Sequence, residues 1–214
     1  NEVGAEQTEY FRQVIETEEM LGYFPKSQRY HLAHGLYRFK DSKMSTREGN
    51  VIWLEDILNE ATKRVAEINA DVAEAVGVGA IKFHDLKRET KRDIIFSWEE
   101  IINLNGDSGP YIQYSHARAK SITEKAKNSE LRITNYEFKT TPDGWEATEL
   151  EKLLYRFPEV VEKSAREYAP HHIAVYLLDI SRTFNAFYAS TKIVDEEDQA
   201  SSYKVALTSA FAQV

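Results

Sequence analysis

The side chains best placed to do chemistry in this sequence lie in two stretches. Residues 40–50 form a polar run holding Lys43, Ser45, Thr46 and Arg47, with Met44 the single apolar residue in its middle. Cations and hydroxyls gathered on one loop suit a polyanionic partner, although a basic surface loop has the same composition. Further along, Tyr111, Tyr114 and Arg118 stand at spacings of three, four and seven, which puts two phenols and a guanidinium on one face of a helix. Unstacked nucleic-acid bases offer π-faces beside phosphates, so such a face is a stacking and charge platform. Aromatics at that spacing also suit plain helix core. Histidines at 31 and 34, in a short aromatic and apolar segment, fit either a ligand-facing or a satisfied structural role.

These groups need elements to hold them. Apolar residues at helical spacing predict a helix over 5–22, with Gly22 and Pro25 as its stop. Residues 30–39 suit one strand, or two broken at Gly35. After the polar loop, Leu54, Ile57, Leu58, Ala61, Val65, Ile68 and Val72 predict one long helix over 54–76, ending near Gly77 and Gly79. The remainder reads as helical: 78–86, 97–104 with Ser97 as N-cap, and 109–128 opened by Gly109-Pro110. A polar excursion over 128–144 follows, then helices over 146–156, 158–168 and 170–189, and a last one from 195. A boundary near residue 62 separates an α/β remnant, 1–62, from an all-α part, 63–214. Because the reading begins and ends inside helices, a fragment is expected.

With 214 residues, 42% of them hydrophobic, the chain is long enough for one large or two small cores. No apolar run has membrane-spanning length, and the first ten residues carry three acids where a signal peptide would be basic and apolar. The absence of cysteine leaves no disulfide frame and no thiolate metal site, in keeping with a reducing cytoplasm. A net charge of −8 would disfavour a nucleic-acid partner if spread evenly, but residues 26–47 carry six cations against Asp41 alone. Residues 111–139 carry six more against Glu124, Glu130 and Glu137, while acids gather at 2–19 and 195–198. The asymmetry permits a polyanion on one side, though solvated helix faces explain any single run.

Four segments, in order, resemble one family. Lys43-Met44-Ser45-Thr46-Arg47-Glu48-Gly49-Asn50 resembles the KMSKS loop of class I aminoacyl-tRNA synthetases, in the form arginyl enzymes often show, and Val51 to Ala61 resembles the helix entry that follows it. Val3-Gly4-Ala5-Glu6-Gln7 through Phe11 resembles the turn that closes the amino-acid pocket, with Glu6 where Asp is common and Tyr10 where His is common. Residues Asn105 to Arg118, including Gly109-Pro110-Tyr111-Ile112-Gln113-Tyr114, resemble the opening of the arginyl-tRNA synthetase anticodon-binding domain. Downstream, Pro170-His171 with Tyr176-Leu177, and Phe184-Asn185-Ala186-Phe187-Tyr188, resemble a helix of the same domain.

The resemblance implies a mainly α fold: the end of a Rossmann-type α/β catalytic domain, then an all-α helix-bundle anticodon-binding domain. It implies arginine–tRNA ligase activity, with ATP, Mg2+ and L-arginine as small partners, tRNA-Arg as the large one, and no membrane. Lys43, Ser45, Thr46 and Arg47 would act on the leaving pyrophosphate, Met44 would seat the loop, and His31, His34 and Gly35 would lie near the adenine. Gln7 would reach the arginine, and Tyr111, Gln113, Tyr114, Arg118 and Tyr188 would touch the tRNA. A cytoplasmic monomer is expected, inactive alone because the family's upstream HIGH motif is absent. Two alternatives remain: another class I enzyme such as the cysteinyl one, expected to bring zinc-binding thiolates, or a non-catalytic tRNA-binding module in which the Lys43 loop would be needless.

Overall fold

The computed structural model describes residues 1–39, 53–129 and 141–214. The chain opens with β1 (Glu2–Gly4), a 3-10 turn at Ala5–Gln7, and α1 (Thr8–Met20). Gly22 ends this helix with φ +70, a left-handed conformation that glycine adopts without a Cβ clash. Residues 30–39 make two strands, β2 (Leu32–His34) and β3 (Tyr37–Phe39), interrupted at Gly35 and Leu36. They do not pair with each other. β2 lies parallel to β1, and β3 lies parallel to β4 (Ile94–Phe96). Parallel pairing requires a crossover, which α1 supplies for the first pair and the following helices for the second.

Two expectations fail along the next stretch. The single helix over 54–76 is in fact α2 (Leu54–Ala66), a 3-10 turn at Ala70–Val72, and α3 (Ala73–Leu86). The break falls at Asn69, whose side chain accepts from the Asp71 N–H at 3.1 Å and competes with helix continuation. Gly77 and Gly79 do not stop a helix; both sit inside α3. A Cβ on Gly77 would lie 2.8 Å from the Thr62 nitrogen, so this glycine serves close contact between α2 and α3.

Beyond β4 come α4 (Trp98–Ile101) and α5 (Gly109–Asn128), the latter capped by Ser108 with Pro110 in its first turn. The helices expected over 146–156 and 158–168 are one element, α6 (Glu149–Glu167), with Pro158 inside it. Its N-terminus carries a capping box, Thr148 with Glu151. An internal proline costs about 3 kcal/mol. Leu150 is fully buried, and Leu153, Leu154, Phe157 and Val160, partly buried, pack on the same core, a burial that offsets the break. Tyr168, at φ 51, turns the chain into α7 (His171–Ser190), and α8 (Ser201–Gln213) follows.

Two cores result. The larger gathers Leu150 of α6, Tyr176, Ile180 and Phe184 of α7, Ala119 and Ala126 of α5, and Val205 and Phe211 of α8. Phe184 and Phe211 stack there with centroids 4.1 Å apart. The smaller joins Ala61 of α2, Ala80 and Ile81 of α3, Phe96 of β4 and Ile101 of α4. α5 packs against α3, α7 and α8 and so spans both cores. No helix among the described residues is long and apolar enough to cross a membrane.

Candidate functional site

Helix α5 packs against α7, which brings a second set of polar and aromatic groups to the same edge. Arg118 of α5 lies with its guanidinium carbon 4.7 Å from the centroid of the Tyr114 ring and 4.8 Å from that of Tyr188 on α7. Tyr114 is 54% exposed and Tyr188 43%, so both rings remain open to solvent while flanking the cation. The spacing 114 to 118 sets one ring a helical turn from the guanidinium, and packing of α7 on α5 delivers the other.

Asn185 holds this cluster together. Its Oδ1 accepts from Arg118 Nη1, and its Nδ2 donates to the Tyr111 hydroxyl at 3.0 Å and to Ser115 Oγ at 2.8 Å. Tyr111 is half-buried and is tied to the cluster through Asn185 rather than by its ring face. Gln113 takes another direction: its Nε2 donates to the Ala75 carbonyl of α3 at 3.0 Å, and its Oε1 is buried without a hydrogen-bond partner. Gln113 therefore joins α5 to α3, whereas Tyr114, Arg118 and Tyr188 form one exposed patch. The loop before α5 is fixed from two sides, by Lys87 donating to the Asp107 carbonyl at 2.6 Å and by Arg182 of α7 pairing with the Asp107 carboxylate. Burial pushes the Lys87 pKa below its ordinary value.

In the N-terminal part the candidate groups are arranged around β1 and β2. The His31 Nε2–H donates to the Val3 carbonyl at 3.0 Å, and the ring stacks on Phe11 at 4.7 Å between centroids. His34 uses Nδ1 to donate to the Gly35 carbonyl at 2.8 Å. A Cβ on Gly35 would stand 2.3 Å from the Arg92 carbonyl, so the residue is glycine because the backbone before β4 passes against it. Gln7 is exposed in the 3-10 turn after β1. His34 and Gly35 line a cleft of about 580 Å³ that also meets Tyr37, Asp85, Arg88 and Arg92. Asp93 anchors its wall: the Leu36 N–H and the Arg38 guanidinium hold its carboxyl below the usual carboxylate range. Tyr37 donates to Asp85 at 2.5 Å, and burial followed by that carboxylate raises its pKa. Lys43, Met44, Ser45, Thr46 and Arg47 lie outside the described residues. Among the described residues no cluster of His, Asp or Glu is placed to hold a metal ion.

Spacing within one helix exposes Tyr114 and Arg118 in the sequence, but Asn185 and Ser115 carry no such signal as partners. Asn185 is 67 residues from Arg118, and only the packing of α7 on α5 makes them neighbours.

Two family models match the chain. Residues 2–98 match the model of the tRNA synthetases class I (R) catalytic domain, and residues 112–214 match that of the DALR anticodon binding domain. The arginine–tRNA ligase of Limosilactobacillus fermentum is 41% identical over 222 residues, covering 99% of this chain and 39% of that protein. That of Ligilactobacillus salivarius is 40% identical over 205 residues, covering 91% and 36%. Among solved structures, the Thermus thermophilus arginyl-tRNA synthetase superposes with a TM-score of 0.75 at 30% identity, over 94% of this chain and 35% of that one. The chain thus spans about two-fifths of the length of the curated relatives it matches.

Proposed function

We propose that this chain, which belongs to the arginyl-tRNA synthetase family, supplies two parts of an arginine–tRNA ligase: the loop that handles ATP and the helical face that grips the tRNA. The parent reaction joins L-arginine to tRNA-Arg at the expense of ATP, giving arginyl-tRNA, AMP and diphosphate. In this reading residues 1–62 act on ATP and arginine and residues 63–214 on the tRNA. α2 spans that point and packs on α3, which in turn packs on α5. The observation that carries the proposal is the exposed Tyr114–Arg118–Tyr188 cluster, which falls inside the stretch matching an anticodon-binding domain.

Amino-acid activation moves negative charge onto the leaving pyrophosphate, so fixed cations and hydroxyls beside it lower the barrier. Lys43 is assigned that charge, with Ser45 and Thr46 as hydroxyl donors, Arg47 as a second cation and Met44 as the apolar seat. His31, His34 and Gly35 stand on the adenine side, and Gln7 faces the arginine. Mg2+ accompanies ATP in the full-length enzyme. On the tRNA side, the rings of Tyr114 and Tyr188 offer π-faces to splayed anticodon bases while Arg118 supplies charge; Tyr111 backs them through Asn185, and Gln113, bonded to α3, stands outside that contact set. The whole enzyme works as a cytoplasmic monomer in translation.

A paired experiment in the full-length parent tests both halves at once. Lys43→Ala is expected to cut adenylate formation by a factor of order 100 while leaving tRNA affinity nearly unchanged. Tyr188→Ala is expected to weaken tRNA binding about 10-fold, with adenylate chemistry on saturating substrates less affected. Equal loss of both properties in either variant would refute the assignment of that residue.

A further inference from the structure

We propose that Asn185 is a positioning residue for RNA recognition, acting by fixing the guanidinium of Arg118 between Tyr114 and Tyr188; the inference rests on the tRNA-facing reading of that cluster. Asn185 uses both ends of its amide. The carbonyl oxygen accepts from Arg118 Nη1, and the amide nitrogen donates to Tyr111 and Ser115, which lie on the same α5 face as Arg118. An amide whose donors are both held by α5 cannot flip, so its oxygen is kept pointing at the arginine. One edge of the guanidinium is thereby committed, and among the described residues no ion pair competes for the rest of it. The remaining N–H groups are free to meet acceptors on a base edge or a phosphate in the plane of the group.

Arginine carries considerable rotamer entropy, which a binding event must remove if the side chain is free beforehand. Asn185 removes it in advance. The neighbouring rings confine the guanidinium from the sides, and the amide sets its rotation about the chain axis. Asn185 itself is partly buried on α7, away from where the rings meet solvent, so its effect on RNA passes through Arg118.

The test is a double-substitution cycle on this chain, reading the dissociation constant for a fluorescent tRNA-Arg transcript and its salt dependence, with thermal melting to confirm folding. Arg118→Ala is expected to weaken binding about 10- to 30-fold and to lower the salt slope by about one. Asn185→Ala is expected to weaken binding about 10-fold, and the double variant no more than Arg118→Ala alone, because the two act through one group. Asn185→Asp, nearly the same in shape, keeps the contact to Arg118 but neutralises it and loses the donors to Tyr111 and Ser115; it is expected to lower the salt slope by about one while the chain stays folded. Strictly additive losses, or an Asn185→Asp slope equal to that of the unaltered chain, overturn the positioning role. If Arg118→Ala itself leaves binding unchanged, the tRNA-facing reading of the cluster fails first and this inference falls with it.

Discussion

His84 shows how much one side chain can depend on its surroundings. It lies in α3 with 2% of its surface exposed, edge-on to Phe96, and no hydrogen bond of ordinary geometry reaches either ring nitrogen. Burial, and then the cations of Arg88 and Lys87, hold its pKa at about 4 against an ordinary 6.5. The folded protein therefore keeps the ring neutral where the unfolded chain would protonate it. Between about pH 6.5 and 4 the unfolded state binds more protons, and stability falls as pH falls through that window. Urea unfolding across this range is expected to show a loss of about 2 kcal/mol that His84→Leu abolishes; identical profiles for the two chains would contradict the buried neutral histidine. At this scale Tyr114 and Arg118 were legible because helical spacing alone makes them neighbours. His84 and Asn185 were not, since the environment of each is made by residues distant in sequence.

At the scale of elements, glycine marks contact more often than termination. A Cβ on Gly109 would meet the Gly79 carbonyl at 2.9 Å and Ala80 Cα at 3.1 Å, so the first turn of α5 lies directly on α3. Gly109→Ala would push these helices apart or strain them, and is expected to cost about 1–3 kcal/mol in denaturant unfolding. A cost below about 0.5 kcal/mol would show that the contact can relax. Periodicity located α1, α5 and α7, left a break at Gly35 as one of two readings, and could not see why Gly77 and Gly79 stay helical or why α6 runs through Pro158. Those outcomes are decided by backbone approach and by buried leucines across the interface. Strands β1 and β4, three residues each, are too short to carry an alternating pattern and exist through pairing with β2 and β3.

Over the whole molecule, α5 is the connecting element. It presents Tyr114 and Arg118 at its surface, touches α3 through Gly109 and Gln113, and packs on α7 and α8 in the larger core. The order of motifs along the chain was readable from sequence, as was the succession of α/β and helical parts. The parallel pairing of β3 with β4, which ties residues on both sides of α2 and α3 into one sheet, was not, because it joins segments 57 residues apart. The net charge of −8 also gives no hint of the Arg118 site, since it averages over acids placed elsewhere. The most direct measurement is the affinity of this chain for a tRNA-Arg transcript against the same transcript with its anticodon loop replaced, at fixed physiological salt. Anticodon recognition predicts at least about 10-fold tighter binding to the unaltered transcript; equal affinity for both would contradict it.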